Sequence, residues 1–521
     1  MSYGELKGFK DHFGFGGVAP GLCSILKAIP EQDLGTVSLK WKDPIDTYIE
    51  GNLIASWKRT TIIRKKGSYP TSITDGEKIA EITTRDQYAT AELVDRNFPE
   101  GATLTDYFYM AFPESDTGAI SVNERNRFIP GARYVHYAIE IDLNNSDPAG
   151  RITYLEECAD FESAYMDYTA GVFKYGSWKN AFFMPKPCML KSDGTVAYYL
   201  NPDDYSLRED GSASDYNNTS FDGNVMIEFP TVWIWIDTSG AKPVIHFSDQ
   251  QIDENYRALA HHDQSGNVIP YIYVGAYDGA LVSSKVRCIS GLTPMNTQTG
   301  TNEITYAKNN GSLWYTGVLA DRLLINMLLM LIGKSTNTQS VFGNGHYTGG
   351  SQASSLIKSG TMDKKGLFWG TNGSGNGVKV FGIENYWGNL WKRIAGLINA
   401  SGTQKYKLTY GTEDGSTVTG YNTDGSGYKT LAGGTPGGTS GGYISKVLVT
   451  EDGYFPITAS GSETTFECDG LWFNNSQSNY ALVGGDCGIG FRCGAFAVGL
   501  DNAVSDSYWG IGASLSCKPT A

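Results

Sequence analysis

Charge is scarce in this chain. Asp, Glu, Lys and Arg make up 18% of its 521 residues, against about 25% in ordinary globular domains. What charge there is leans acidic: 41 basic and 55 acidic side chains leave a net −14. A field of that sign opposes nucleic acid and anionic membranes, so neither is expected as a partner. Long apolar runs are missing too. The longest, Leu323–Ile332 (LLINMLLMLI), carries an Asn and falls well short of the ~20 residues a membrane span needs. It reads as a buried helix. The opening MSYGELKGFK has no apolar stretch before a cleavage site, so no secretory signal is expected there and no membrane insertion follows.

Catalytic signatures are also missing. The chain has no G-x-S-x-G elbow, no H-E-x-x-H, no GK[ST] phosphate loop and no G-x-G-x-x-G inside a βαβ unit. TNGSGNG (371–377) lacks the lysine that would hold phosphates, and TDGSG (423–427) is too short for a calcium loop. Histidines number six. His261 and His262 are adjacent, and neighbours on a strand point to opposite faces, which disfavours shared metal binding. Dispersed carboxylates single out no glycosidase pair. The expectation is therefore no enzyme, no metal and no cofactor. None of the eight cysteines forms a C-x-x-C pair, which argues against structural zinc. Cys468, Cys487, Cys493 and Cys517 crowd the last 54 residues. Two disulfides and four buried thiols both remain open for them. No solenoid-period repeat occurs.

What the chain has in quantity is Gly (64), Tyr (32) and Trp (11), with many Ser, Thr and Asn. This composition points to an α+β, β-rich protein built for contact. TVSLKW (36–41) alternates, with Val37, Leu39 and Trp41 on one face. TTIIRKKG (60–67) and TLTDYFYMAFP (103–113) are further strands. Short strands between turn signals suggest a β-sandwich over 32–118, preceded by a lead segment at 1–31. A β-rich intermediate region follows at 130–310. There ARYVHYAIEIDL (132–143) is strand-like and ECADFESAYMDY (157–168) fits a short amphipathic helix. NVMIEFPTVWIWI (224–236) reads as a strand pair, with Trp233 and Trp235 opposite Val232, Ile234 and Ile236. The last region, 311–521, opens on the strongest helix signal, Ala320–Gly333. In GIENYWGNLWKRIAGLINA (382–400), Trp387, Leu390, Trp391, Ile394 and Leu397 recur at helical spacing, so a second helix is expected there.

Three sets of residues carry a resemblance. An early strand tryptophan and a late Tyr-x-Tyr strand resemble a fibronectin type III module, of the kind found in tail proteins of phages and prophages. KPCMLKSDGTVAYYLNPDDY (186–205) is similar to segments of such proteins. GIENYWGNLWKRI (382–394) resembles the Gly-Asn-Val-Trp-Glu-Trp element of the C-type-lectin-like fold in its formylglycine-generating-enzyme branch. GLWFNN (470–475), GIGFRCGAF (488–496) and WGIGASLSC (509–517) follow in the order of that fold's closing strands. The branch's catalytic cysteines have no recognisable counterparts here, so the fold carries over and the activity does not. The 130–310 region could then be the first part of the lectin-like domain.

The end of the chain, 481–517, resembles the variable region of a diversity-generating retroelement target protein, whose Asn codons are scrambled at adenines. NAVSDSYWGIGASL (502–515) reads as a frame NAVS-x-S-x-W-x-IGASL with Asp506, Tyr508 and Gly510 open. Asp486, Gly488, Phe491, Arg492, Gly499 and Asp501 are similar open positions within a variable stretch of about 470–517. Strand-like alternation would turn Ser507, Trp509 and Ile511 inward and the open residues outward. The resemblance implies a host-attachment protein at a phage tail tip or fibre, a homotrimer held by tail and baseplate proteins. The nine open positions would bind a bacterial surface receptor, protein or glycan. Trp387, Trp391, Trp472 and Trp509 would form the scaffold. Tyr, Ser, Gly and Asn are also the residues that binding loops favour. The alternatives are a bacterial surface adhesin, a tail-associated glycan hydrolase, or a formylglycine-generating relative using Cys487 and Cys493.

Overall fold

A computed structural model describes residues 18–49, 52–130, 134–373, 375–408, 422 and 424–520. Residues 1–17, most of the expected attachment segment, lie outside the described residues, as do single positions within the two Gly-rich loops at 371–377 and 423–427. The protein is β-rich, as expected, and divides into two units, one ending at Tyr134 and one beginning at Val135.

The first unit sets two sheets against one core. One sheet runs Leu93–Asp95, Thr36–Lys42, Ser24–Glu31, Ile129–Pro130, and the other Glu77–Ile82, Trp57–Lys66, Tyr107–Ser115. Val37, Leu39 and Trp41 point into the core, where they meet Ile62, Tyr109, Ala111 and Phe128. The other face of Tyr107–Ser115 is buried as well, with Met110 and Phe112 packing on Ile63. The unit is larger than the expected 32–118. Ser24–Glu31 pairs with Thr36–Lys42, and Ile129–Pro130 adds a parallel edge. Buried Arg64 is paired: its Nη1 lies 2.7 Å from Asp95 Oδ2, which also accepts from the Tyr109 hydroxyl at 2.8 Å.

The second unit, from Val135 onward, joins the expected intermediate and C-terminal regions around one continuous core. The helix Leu319–Gly333 lies at its centre, with all fifteen residues buried. Three of them are polar, and each has work to do. Asp321 takes the hydroxyl of Ser516 at 2.9 Å and pairs with Lys518. Arg322 donates to the carbonyls of Tyr386 (3.0 Å) and Ala495 (2.7 Å), and Asn326 donates to Ala495 as well. The helix thus binds the chain's last strands to its middle.

Two large sheets flank it. The seven-stranded sheet has Gly223–Pro230 and Tyr271–Gly275 at its middle. The strand Leu515–Cys517 is inserted between Tyr271–Gly275 and Trp314–Thr316. The ten-stranded sheet is built on Trp391–Ala400, which pairs with Ser478–Val483 on one side and Thr403–Tyr406 on the other. A smaller sheet holds His136–Ile141, Ile152–Glu156, Val244–Ser248 and Trp233–Asp237. The strands Gly223–Pro230 and Trp233–Asp237 enter different sheets and do not pair with each other. Ile234 and Ile236 face the core, while Trp233 and Trp235 are half-buried.

Two helix expectations fail. Residues 391–400 form a strand buried on both faces. A doubly covered strand needs apolar residues at nearly every position, so a run at i, i+3 and i+4 is satisfied by either structure. The backbone settles it, since Gly388, Asn389 and Gly396 all have positive φ, which a helix does not allow. Residues 157–168 form turns and the short strand Tyr165–Asp167, paired with Val172–Lys174. Its apolar residues serve separate contacts: Cys158 is buried and Phe161 packs edge-on against Trp178 at 5.0 Å.

All eight cysteines are free and buried, which decides the open question in favour of thiols. Among the described residues no helix is long and apolar enough to cross a membrane.

Candidate functional site: an aromatic and acidic face

Three of the open positions, Tyr508, Arg492 and Gly499, border a small apolar cluster distinct from the main core. Trp391, Leu482, Ala497 and Ile511 form it, with Trp472, Ile489 and Tyr508 packed on top. The elements come from five places in the chain. Trp391 begins the central strand and pairs in parallel with Ile511. Leu482 lies on Ser478–Val483, Trp472 on Gly470–Phe473, and Ala497 leads into Val498–Asn502. Trp391 and Trp472 meet edge to face at 5.2 Å, a favoured arrangement for two rings. Gly388 makes the approach to this strand possible. With φ +75°, a Cβ there would stand 2.8 Å from the His346 carbonyl.

The scaffold tryptophans differ in depth. Trp387 is fully buried and donates to the Gly343 carbonyl at 3.1 Å, and Trp391 is buried. Trp472 and Trp509 are half-buried and form part of the face itself.

Of the nine open positions, Gly488 and Phe491 are exposed, and Arg492, Asp501, Asp506 and Tyr508 are partly so. Asp486, Gly499 and Gly510 are buried. The expected alternation is also wrong. Residues 503–510 are irregular, Ser507 is exposed, and Gly510 is buried. A strand's strict two-residue period needs a ladder partner, and this segment has none until Ile511. Its shape comes from side-chain anchors. Arg393, fully buried and paired with Glu303 at 2.8 Å, donates to the Asp506 carbonyl at 2.9 Å. Asp506 Oδ2 accepts from the Ala503 amide. Burial pushes the Glu303 carboxyl up to about 7, partly offset by Arg393.

Phe491 lies against Tyr347 at 4.5 Å between ring centroids. Arg492 is held over the Trp472 ring and donates to the Gly441 carbonyl at 2.8 Å. Asp486 accepts from the Gly488 amide through Oδ1 at 2.8 Å, while Oδ2 takes no hydrogen bond from the described residues. Burial raises its carboxyl to about 6. Burial also raises Asp501, helped by nearby Asp506. The Tyr508 hydroxyl is raised by burial and by the charges of Asp486 and Asp501.

No family model matches this chain, and no curated protein does.

The arrangement therefore offers aromatic surfaces, a fixed guanidinium and several carboxylates on one face. Cys487 and Cys493 are buried, and burial lifts both thiols, Cys487 to about 11. Neither is a thiolate near neutral pH. Of the adjacent histidines, His261 is fully buried 3.3 Å from the Phe229 carbonyl and is pushed down to about 3 by burial. Sequence reasoning missed Tyr347, Glu303 and Arg393. Tyr347 lies in a Gly-rich loop far from 470–517, and nothing local marks it. Arg393 sits inside the quoted GIENYWGNLWKRI, where a buried cation on a strand could not be told from a solvated one on a helix.

Proposed function

We propose that this chain is a host-attachment protein of a phage tail. On this reading its second unit is a C-type-lectin-like domain that displays a retroelement-diversified patch to a bacterial surface receptor, and the first unit is a fibronectin type III-like module on the tail side. The observation that supports this is that Tyr508, Arg492 and Gly499 border one satellite cluster, Trp391, Leu482, Ala497 and Ile511, distinct from the main core. The exposed and half-buried open positions, Gly488, Phe491, Arg492, Asp501, Asp506 and Tyr508, can change without repacking the centre of the unit, as a recognition surface on a rigid scaffold requires. Binding without turnover is the mechanism, and a trimer on a tail would add avidity.

Deep sequencing of the gene and its flanks in a growing population tests this. Substitutions are expected to concentrate at 486, 488, 491, 492, 499, 501, 506, 508 and 510, with a nearby near-copy differing at adenines. A uniform region with no such copy would remove the retroelement from the reading.

A further inference from the structure

The face contains a notch whose floor is a carboxylate. Asp486 is 4% exposed, and its Oδ2 has no hydrogen-bond donor among the described residues. Two glycines pack close beside it, where a larger residue would crowd the carboxylate. A Cβ on Gly510 would stand 2.5 Å from Asp486 Oδ2 and 2.8 Å from the Tyr508 ring. One on exposed Gly488 would stand 3.2 Å from Oδ1 and 3.5 Å from the Trp509 ring. Tyr508 and Trp509 form the aromatic walls, their ring centroids 6.3 Å apart at 73°. Asp501 and Asp506 add negative charge near Tyr508. Arg393, the cation that acts on Tyr508, is taken up by Glu303 and by backbone carbonyls.

A largely buried carboxylate with one oxygen left to solvent is stabilised best by a charged donor. Aromatic walls favour the same kind of guest, because ring faces attract cations. We infer that the Asp486 notch, bounded by Gly488, Gly510, Tyr508 and Trp509, binds a primary ammonium group of the receptor. This rests on reading the face as receptor-binding. The ammonium could belong to a lysine of a surface protein or to an unacetylated amino sugar, since both present the same donor.

The test uses the full-length protein and ligand-observed NMR. The probes are Nα-acetyl-lysine amide and glucosamine, each beside its N-acetylated counterpart. An amine probe should bind at least tenfold more tightly than its acetylated form, and whichever amine binds better identifies the source. For the lysine probe, whose ammonium stays charged throughout, affinity should drop about tenfold from pH 8 to pH 5, as a carboxyl titrating near 6 takes up its proton. The groups that act on Asp486 or are acted on by it are Tyr508, Cys487 and Cys493, all neutral over that range. D486N should abolish both the amine preference and the Asp486 part of the pH response. G510A, which fills the notch and keeps the carboxylate, should also lose the amine. Equal binding of acetylated probes, or amine binding retained in D486N, would overturn the inference. The wild-type arms hold even if a variant fails to fold.

Adsorption of the intact protein to a panel of bacteria, before and after acetylation of their surface amines, separates the two readings. Adsorption unaffected by acetylation overturns the ammonium site and leaves the receptor reading standing. Amine-probe binding without adsorption to any bacterium does the reverse.

Discussion

Asp486 is an acid that the fold holds at a cost. Its folded-state carboxyl lies near 6, above the ordinary 3.8, because burial penalises the charged form. A raised acid pKa means the native state binds its proton more readily than the unfolded chain does. The penalty is therefore absent below about pH 4, grows as pH rises through 6, and is complete above that. At ~1.4 kcal/mol per pKa unit, and allowing for solvent at the notch, D486N should gain about 1–2 kcal/mol at pH 8 and nothing at pH 4. Urea melts at the two pH values measure it. No gain at pH 8 would mean that the carboxylate already has a partner. A binding group that destabilises its scaffold is a familiar stability–function conflict.

At the scale of elements, the irregular segment 503–510 depends on a residue that belongs to another element. Arg393 holds Asp506 and Ala503 by their carbonyls while its charge is matched by Glu303. Arg393→Met would leave Glu303 buried without its cation and free the segment. The expected cost is about 3–5 kcal/mol, with faster hydrogen exchange at the amides of Ala503 and Asp506, which bond within the segment. If those amides stay protected, the segment is held by its own turn. Element type was readable where the chemistry was one-sided. Leu319–Gly333 has fifteen residues without an interior Gly or Pro, and Thr36–Lys42 alternates over its core. It was unreadable at 391–400, where burial on both faces erases the period that tells strand from helix.

At the scale of the whole molecule, eight cysteines and no disulfide describe a fold that depends on packing. All eight thiols are buried, including the four at the C-terminal end. Thermal melting should be the same with and without reductant, and a thiol reagent should label the native protein only at the rate at which it unfolds. A melting temperature lowered by several degrees in reductant would contradict this. The amino-acid sequence by itself determined the β-rich class, the acidic field, the buried central helix and the Trp, Gly and Tyr content of the last fifty residues, because composition and local periodicity need no partner to act. Tertiary structure alone decided the rest. Leu515–Cys517 enters a sheet made by residues about two hundred or more positions earlier. Trp391 lies in a strand because Ile511 and Val483 flank that strand. Asp486 became the floor of a notch because Gly510 comes to lie beside it. Long-range pairing and burial are set by which surfaces meet, and that meeting leaves no mark on the residues nearby in the chain.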